Sequence, residues 1–223
     1  MKYVSSVTGG AGFLGSHMVD LLLKKKHKVI VVDDLSTGIR KNISHNINNK
    51  NFFFIKKNLQ NFNISDLKTK KLDYIFHFAG RAAIVPSIVN PSLYFNTNVF
   101  GLALLTKELI PVMKKQSQGT IINIGSSASI RGFKNGSVYA ASKFAVRALS
   151  QCWQAELRPH NIRVCQVNPS EVTTAFAQKD RKERADLDHK LSPKEIAHTI
   201  ISIIEMRNKG FVPEVNIWAT NPF

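Results

Sequence analysis

The stretch from Tyr3 to Asp33 leaves this chain little choice of fold. Tyr3 to Val7 is a short apolar strand, followed at once by Thr8-Gly9-Gly10-Ala11-Gly12-Phe13-Leu14-Gly15. An amphipathic helix from Ser16 to Lys25 comes next, then a second strand from Lys28 to Val32 that ends at Asp33. Strand, glycine turn, helix and strand in this order suit a dinucleotide. Glycines at 9, 12 and 15, with Phe13 and Leu14 between them, let backbone approach a pyrophosphate. The helix N-terminus adds unpaired N–H groups and a positive dipole end. Asp33 is placed to accept from both ribose hydroxyls, and its charge repels a 2′-phosphate, so NAD is expected over NADP, with NADP the alternative.

Further along, strands and helices keep alternating. Phe52 to Lys56 and Tyr74 to Phe78 read as the third and fourth strands, with Asn58-Leu59 after the third placed to meet the adenine. Leu35 to Lys50 is polar and reads as loop or weak helix, and Ile64 to Lys70 as a brief helix. The fourth strand opens into Ala79-Gly80-Arg81, and its His77 reads as a core histidine. Pro91 to Lys115 reads as one long helix carrying Asn96, Asn98 and Gly101. Thr120 to Ile124 and Ile162 to Val167 supply strands five and six, and Phe211 to Trp218 a last one. Ser192-Pro193-Lys194-Glu195 has the makings of a helix start, with Ser as cap and Glu three residues on. Alternation of this kind implies a single α/β domain over residues 1–223, with about seven parallel strands wound on both faces. Ligands then belong at the carboxyl ends of the strands, where Gly9, Gly15, Asp33, Ala79, Gly80, Ser126 and Pro169 all fall.

Chemistry concentrates between Ile121 and Lys143. An apolar run leads into Ser126, and Tyr139 and Lys143 stand four apart at the start of a helix read from Ala140 to Leu149. At that spacing they share a face, about 5–6 Å apart at Cβ. An ammonium so placed stabilises a phenolate and draws a tyrosine down from its ordinary value of about 10. Ser126 can offer its hydroxyl to the same substrate oxygen.

Other features narrow the class. A formal charge of +16 reads as a lysine-rich solvated surface, since no nucleic-acid motif accompanies it, though it would attract phosphorylated cofactors and acidic carriers. Cys152 and Cys165 have neither metal nor disulfide spacing. No apolar run is long enough for a membrane span. Met1-Lys2-Tyr3 leads straight into a strand without room for a secretory leader, so a cytoplasmic protein is expected.

Together the Thr8–Gly15 turn, Asp33, Ala79-Gly80, Asn98, Ser126, Tyr139, Lys143 and the Pro169–Thr174 loop resemble the short-chain dehydrogenase/reductases. The resemblance implies a nicotinamide-dependent oxidoreductase in which Tyr139 is the general acid/base. Lys143 would lower its pKa and bind the nicotinamide ribose, Ser126 would bond the substrate carbonyl, and Asn98 would hold a relay water. Val172 and Thr174 would contact the nicotinamide carboxamide. Up to about Leu105 the chain resembles the extended sugar-nucleotide branch, through Val-Thr-Gly-Gly-Ala-Gly-Phe-Leu-Gly-Ser, Val-Val-Asp-Asp-Leu-Ser-Thr-Gly and His-Phe-Ala-Gly. UDP-glucose 4-epimerase is the nearest type there. Beyond Leu105, segments such as Ala-Glu-Leu-Arg-Pro-His-Asn-Ile-Arg-Val resemble single-domain 3-oxoacyl-carrier-protein reductases. A chimera joined near residues 99–107 is the expectation.

Departures from the family pattern are His77-Phe78 where reductases carry Asn-Asn, Ser170 in place of a glycine, and Asn58 where the extended branch carries Asp. Three functions follow: a carbonyl or alcohol oxidoreductase, a sugar-nucleotide epimerase, or a cofactor-binding chimera without useful turnover. Only 80 residues follow Lys143, too few for the large substrate region that epimerases use. Outer faces of the 91–115 and 140–157 helices are expected to be partly apolar and to pair in a homodimer or homotetramer.

Overall fold

The computed structural model describes residues 3–173 and 187–221. Seven strands form one wholly parallel sheet in the order β3-β2-β1-β4-β5-β6-β7. They are β1 (Val4–Thr8), β2 (Lys28–Asp33), β3 (Phe52–Lys56), β4 (Tyr74–His77), β5 (Gly119–Ile124), β6 (Ile162–Pro169) and β7 (Glu214–Ile217). The chain works outward from β1 to β3, then returns to the other side of β1 with β4. That reversal opens a crevice beyond the carboxyl ends of β1 and β4, the place where such sheets bind ligands.

Strands β1, β4 and β5 are buried along their whole length because both sheet faces are covered there. Helices α1 (Phe13–Lys24) and, late in the chain, Pro193–Ile204 cover one face. Met18, Leu22, Ile196 and Ile200 pack there on Val7, Val31, Phe76 and Ile122. Leu102, Leu105, Leu109, Val146 and Leu157 cover the other face, against Ile30, Val32, Ile75, Ile121 and Val164. Each such side chain contributes about 1.5–3 kcal/mol when fully buried.

The long helix expected over 91–115 is more articulated than its sequence suggests. A short α2 (Ile84–Val89) precedes it, and α3 (Pro91–Phe95) passes through a π-helical turn at Asn96–Phe100 into α4 (Gly101–Gln116). Such a turn inserts a residue and re-aims the side chains around it; here it carries Asn98. The brief helix expected over 64–70 is a 3₁₀ turn, Ile64–Leu67, stopped by Lys68 at a φ of 46°. Arg40–Asn46 in the polar stretch is likewise 3₁₀. Helix α5 (Ser137–Leu157) starts earlier and runs longer than the apolar pattern indicates. Helix α6 (Pro193–Ile204) starts as its sequence predicts: Ser192 Oγ accepts from the Lys194 N–H at 3.2 Å, and Glu195 accepts from the Ser192 N–H at 2.7 Å.

Candidate active site

The glycine turn is built by close backbone approach. Gly9 has a φ of +69°, and a Cβ placed on it would lie 2.5 Å from the backbone nitrogen of Ala79. A Cβ on Gly15 would lie 2.2 Å from the Gly9 carbonyl oxygen, so the helix start nests into the turn. The turn is closed by the Gly12 N–H donating to that same oxygen at 3.0 Å. Helix α1 then begins without a side-chain cap and without an acid in its first turn. Its first N–H groups, among them those of Phe13, Leu14 and Gly15, are left for an anion from outside the helix. A cradle with no room for a Cβ at Gly9 or Gly15, presenting a helix start, fits the pyrophosphate of a dinucleotide.

Asp33 ends β2 beside this turn and is 7% exposed. Its Oδ2 accepts from the Ala11 N–H at 2.9 Å and its Oδ1 from the Leu35 N–H at 2.8 Å. Burial raises its pKa, while those two N–H donors act to lower it. Each oxygen keeps a second lone pair for a ribose hydroxyl. Asp34 alongside accepts from the Ser36 N–H at 2.9 Å and from Asn58 Nδ2 at 3.0 Å. Asn58 Oδ1 in turn accepts from the Gln60 N–H at 2.9 Å. The Asn58 side chain expected to meet an adenine is therefore committed to Asp34 and to its own turn. Leu59 is buried against α4-side residues and has only its backbone to offer.

At the other end of the crevice, Ser126 follows β5 and Tyr139 and Lys143 lie on α5. Ser126 lies close enough to Tyr139 to act on its phenol, favouring the charged form. The serine oxygen also accepts from the Ala128 N–H at 3.1 Å, capping a short 3₁₀ turn. Tyr139 packs with Tyr94, Ala128 and Ala140. Lys143 is almost wholly enclosed, and its Nζ donates to the Ile124 carbonyl at 3.0 Å.

Electrostatics here correct the expectation from spacing. The Tyr139 pKa is raised, because burial outweighs the lowering by Ser126, and the Lys143 ammonium does not figure among its influences. Burial also acts on the lysine and brings its amine down to about 8. Sharing a helix face is thus not enough to pull the phenol down when both groups lose their water.

Asn98 has a structural task besides the role expected of it. Its Nδ2 donates to the Arg81 carbonyl at 2.9 Å and to Ser142 Oγ at 3.0 Å, and its Oδ1 accepts from the Arg81 N–H at 2.7 Å. Both amide hydrogens are engaged, so the side chain clamps the loop after β4 to α5, and a water could reach it only through the second lone pair of Oδ1. Gly80 sits inside the clamp, where a Cβ would meet Asn98 Oδ1 at 3.2 Å and Lys143 Nζ at 3.8 Å.

A row of polar residues that spacing did not single out runs beneath α5. Thr8, His77, Asn123, Gln166 and Glu214 are in register across β1, β4, β5, β6 and β7. Thr8 Oγ1 bonds His77 Nδ1 at 2.8 Å, and Asn123 Nδ2 donates to Ser150 Oγ at 2.9 Å. Ser150 Oγ reaches Gln166 Oε1 at 2.8 Å, and Gln166 Nε2 donates to Asn168 Oδ1 at 2.9 Å. Asn168 Nδ2 donates to Glu214 at 2.9 Å, and Arg147 Nε pairs with the same carboxylate at 2.9 Å. His77 Nε2 and Asn123 Oδ1, neighbours in this row, are buried without a hydrogen-bond partner. Burial and the Lys143 charge hold His77 neutral, at about 3. A polar residue late in an otherwise apolar strand, as at His77 and Asn123, was the available signal.

Pro169 closes β6, and the Ser170 N–H donates to the Ile217 carbonyl at 2.8 Å. Val172 forms a parallel bridge with Leu191. Thr174 and most of the charged stretch 178–190 lie outside the described residues. Among the described residues no helix is long and apolar enough to cross a membrane.

Comparison with known proteins follows the same lines. Residues 4–185 match the short chain dehydrogenase family. A 3-ketodihydrosphingosine reductase of Bacteroides thetaiotaomicron is 40% identical over 85 residues, covering 38% of this chain and 32% of that protein. UDP-glucuronic acid decarboxylase 4 of Arabidopsis thaliana is 41% identical over 95 residues, covering 43% of this chain and 20% of that protein. The chain thus matches a third or less of the length of these curated relatives. Among solved structures, ElxO with NADP bound shares the fold at a TM-score of 0.81 and 23% identity, covering 97% of each chain.

Proposed function

Because the chain belongs to the short-chain dehydrogenase family, we propose that it is an NAD(P)-dependent oxidoreductase acting on a carbonyl or hydroxyl substrate. The observation that carries this reading is the meeting of Ser126, Tyr139 and Lys143 at the same sheet end as the Gly9–Gly15 cradle. When bound, the nicotinamide supplies or accepts the hydride.

The chain's own residues handle the proton and the oxygen. In the reducing direction the Tyr139 hydroxyl gives its proton to the carbonyl oxygen as that oxygen gains charge, while Ser126 donates a hydrogen bond to it. A raised tyrosine pKa suits this direction, since the group is a phenol at neutral pH. Lys143 is an ammonium below about 8, held on the Ile124 carbonyl at 3.0 Å, where it would bind the nicotinamide ribose. Asn98 keeps the loop of Gly80 and Arg81 fixed against α5.

Gly9, Gly12, Phe13, Leu14 and Gly15 would hold the pyrophosphate, and Asp33 the adenosine ribose. Ala79, Gly80, Pro169, Val172 and Thr174 would complete the cofactor's walls. The carboxylate of Asp33 favours NAD. The NADP named with the ElxO structure supports the wider class NAD(P) without deciding between the two.

Partial likeness to a reductase and to a sugar-nucleotide decarboxylase supports the reading of a chimera joined near residues 99–107. Phe100 at 60% exposed and Phe144 at 41% leave apolar surface on the 91–115 and 140–157 helices, which supports self-association.

The test is oxidation of NADH and NADPH by purified protein against a panel of ketones, beside a UDP-galactose assay. Ketone turnover that disappears in Tyr139→Phe is expected. UDP-galactose conversion would favour an epimerase instead, and nucleotide binding without turnover a non-catalytic chimera.

A further inference from the structure

Arg81 carries a charge that no carboxylate of the described protein pairs with. Its backbone is gripped on both sides by Asn98, through the N–H at 2.7 Å and the carbonyl at 2.9 Å. Gly80 before it abuts the Lys143 amine, and Ala82 after it packs on the Tyr94, Ala128 and Tyr139 cluster. The Tyr94 hydroxyl fastens the next residue by donating to the Ala83 carbonyl at 2.6 Å. The root of the guanidinium is therefore fixed between the ribose end of the crevice and the catalytic tyrosine.

Among the described residues none forms a hydrogen bond or ion pair with the side chain. Its Nε is buried without a hydrogen-bond partner. The nearest acid that feels it, Asp34, already has its oxygens on the Ser36 N–H and on Asn58, and forms no ion pair with it. On the other side its charge reaches Tyr94. The uncapped start of α1 adds a second positive end to the same crevice. A buried Nε left without a partner is costly, and an anion reaching it would satisfy that donor together with its neighbour on the fork.

We propose that Arg81 is an anion-recognition residue of this crevice, pairing with a phosphate or carboxylate of the bound ligand. The proposal rests on the oxidoreductase reading for what that ligand is. Two sources share the chemistry: the phosphates of the dinucleotide and an acidic group on the substrate. A planar fork engages either in a bidentate manner, which an ammonium at this position would not reproduce.

The test compares wild type with Arg81→Met and Arg81→Lys. NADH and NADPH affinities are measured by fluorescence titration, and steady-state KM is measured for a keto acid and its methyl ester. Thermal unfolding with and without inorganic pyrophosphate gives a readout that needs no turnover. Arg81→Met is expected to weaken the anionic ligand about 10- to 100-fold, from the loss of a charge-assisted pair, with Arg81→Lys between.

Equal loss for NADH and NADPH assigns the pyrophosphate, and loss for NADPH alone assigns the 2′-phosphate. Loss for the keto acid but not the ester assigns the substrate. Identical behaviour of wild type and Arg81→Met towards all these ligands overturns the proposal. If wild type binds no nucleotide, the oxidoreductase reading falls, and pyrophosphate stabilisation of wild type but not Arg81→Met still decides the anion site. If Arg81→Met does not fold, Arg81→Lys decides it by the same comparison.

Discussion

Gly9 lies so close to Ala79 that a single added methyl group would stand 2.5 Å from the Ala79 nitrogen. The turn after β1 and the exit from β4 are thus in backbone contact, and the crevice between them has no slack.

Gly9→Ala should damage both folding and binding. A left-handed φ costs an alanine about 1–2 kcal/mol, and the overlap with Ala79 adds to it. The melting temperature is expected to fall by at least about 4 °C, with NADH affinity down by about tenfold or more. Thermal unfolding and fluorescence titration measure the two; unchanged values would contradict the close approach.

Asp33→Ser should move cofactor choice. The change removes the carboxylate that disfavours a 2′-phosphate, together with the oxygens that accept from the Ala11 and Leu35 N–H groups. The NADPH to NADH ratio of kcat/KM is expected to rise about tenfold or more. A ratio that stays put would mean Asp33 serves the turn alone.

Lys143→Met should inactivate the protein yet make it more stable at neutral pH. The folded value of about 8 lies below the ordinary 10.5, so the unfolded chain binds the proton more tightly. Burying the ammonium therefore costs stability below about 8, and the cost fades as pH rises towards 10.5. At pH 7 the penalty is roughly 3 kcal/mol, offset by about 1 kcal/mol for the bond to Ile124. Urea unfolding at pH 7 and pH 10 should show the variant's advantage at the first and its loss at the second.

His77→Asn should flatten the acid limb of the stability curve. The histidine's folded value of about 3 is depressed from 6.5, so the unfolded state takes up a proton that the folded state refuses. Stability then falls as pH drops below 6.5, by roughly 1.4 kcal/mol per pH unit from this group. Unfolding free energies at pH 6.5 and pH 5 should differ less in the variant than in wild type. Equal slopes would show that His77 titrates normally.

Much of this architecture was legible because its signals are local. The Gly9–Gly15 turn, the acid ending β2 and the Ser192 capping box each depend on a few adjacent residues. Tyr139 and Lys143 were legible for the same reason, being one helical turn apart. The direction of the Tyr139 shift was not, since burial is set by Tyr94 and Ala128, which arrive from other parts of the chain. Asn98 was placed correctly near the site but its structural task was not legible, because its partners Arg81 and Ser142 are 17 and 44 residues away. The polar row escaped notice because it exists only after five strands fall into register.

That row has a mechanical meaning. Apolar faces let a helix slide along a sheet with little change in energy, as greasy surfaces do. Here α5 is bolted at successive heights, three of them by Lys143 to the Ile124 carbonyl, by Arg147 to Glu214, and by Ser150 to Asn123 and Gln166. A shift by one residue would break all three fastenings together, so the tyrosine's height above the sheet is indexed in discrete steps.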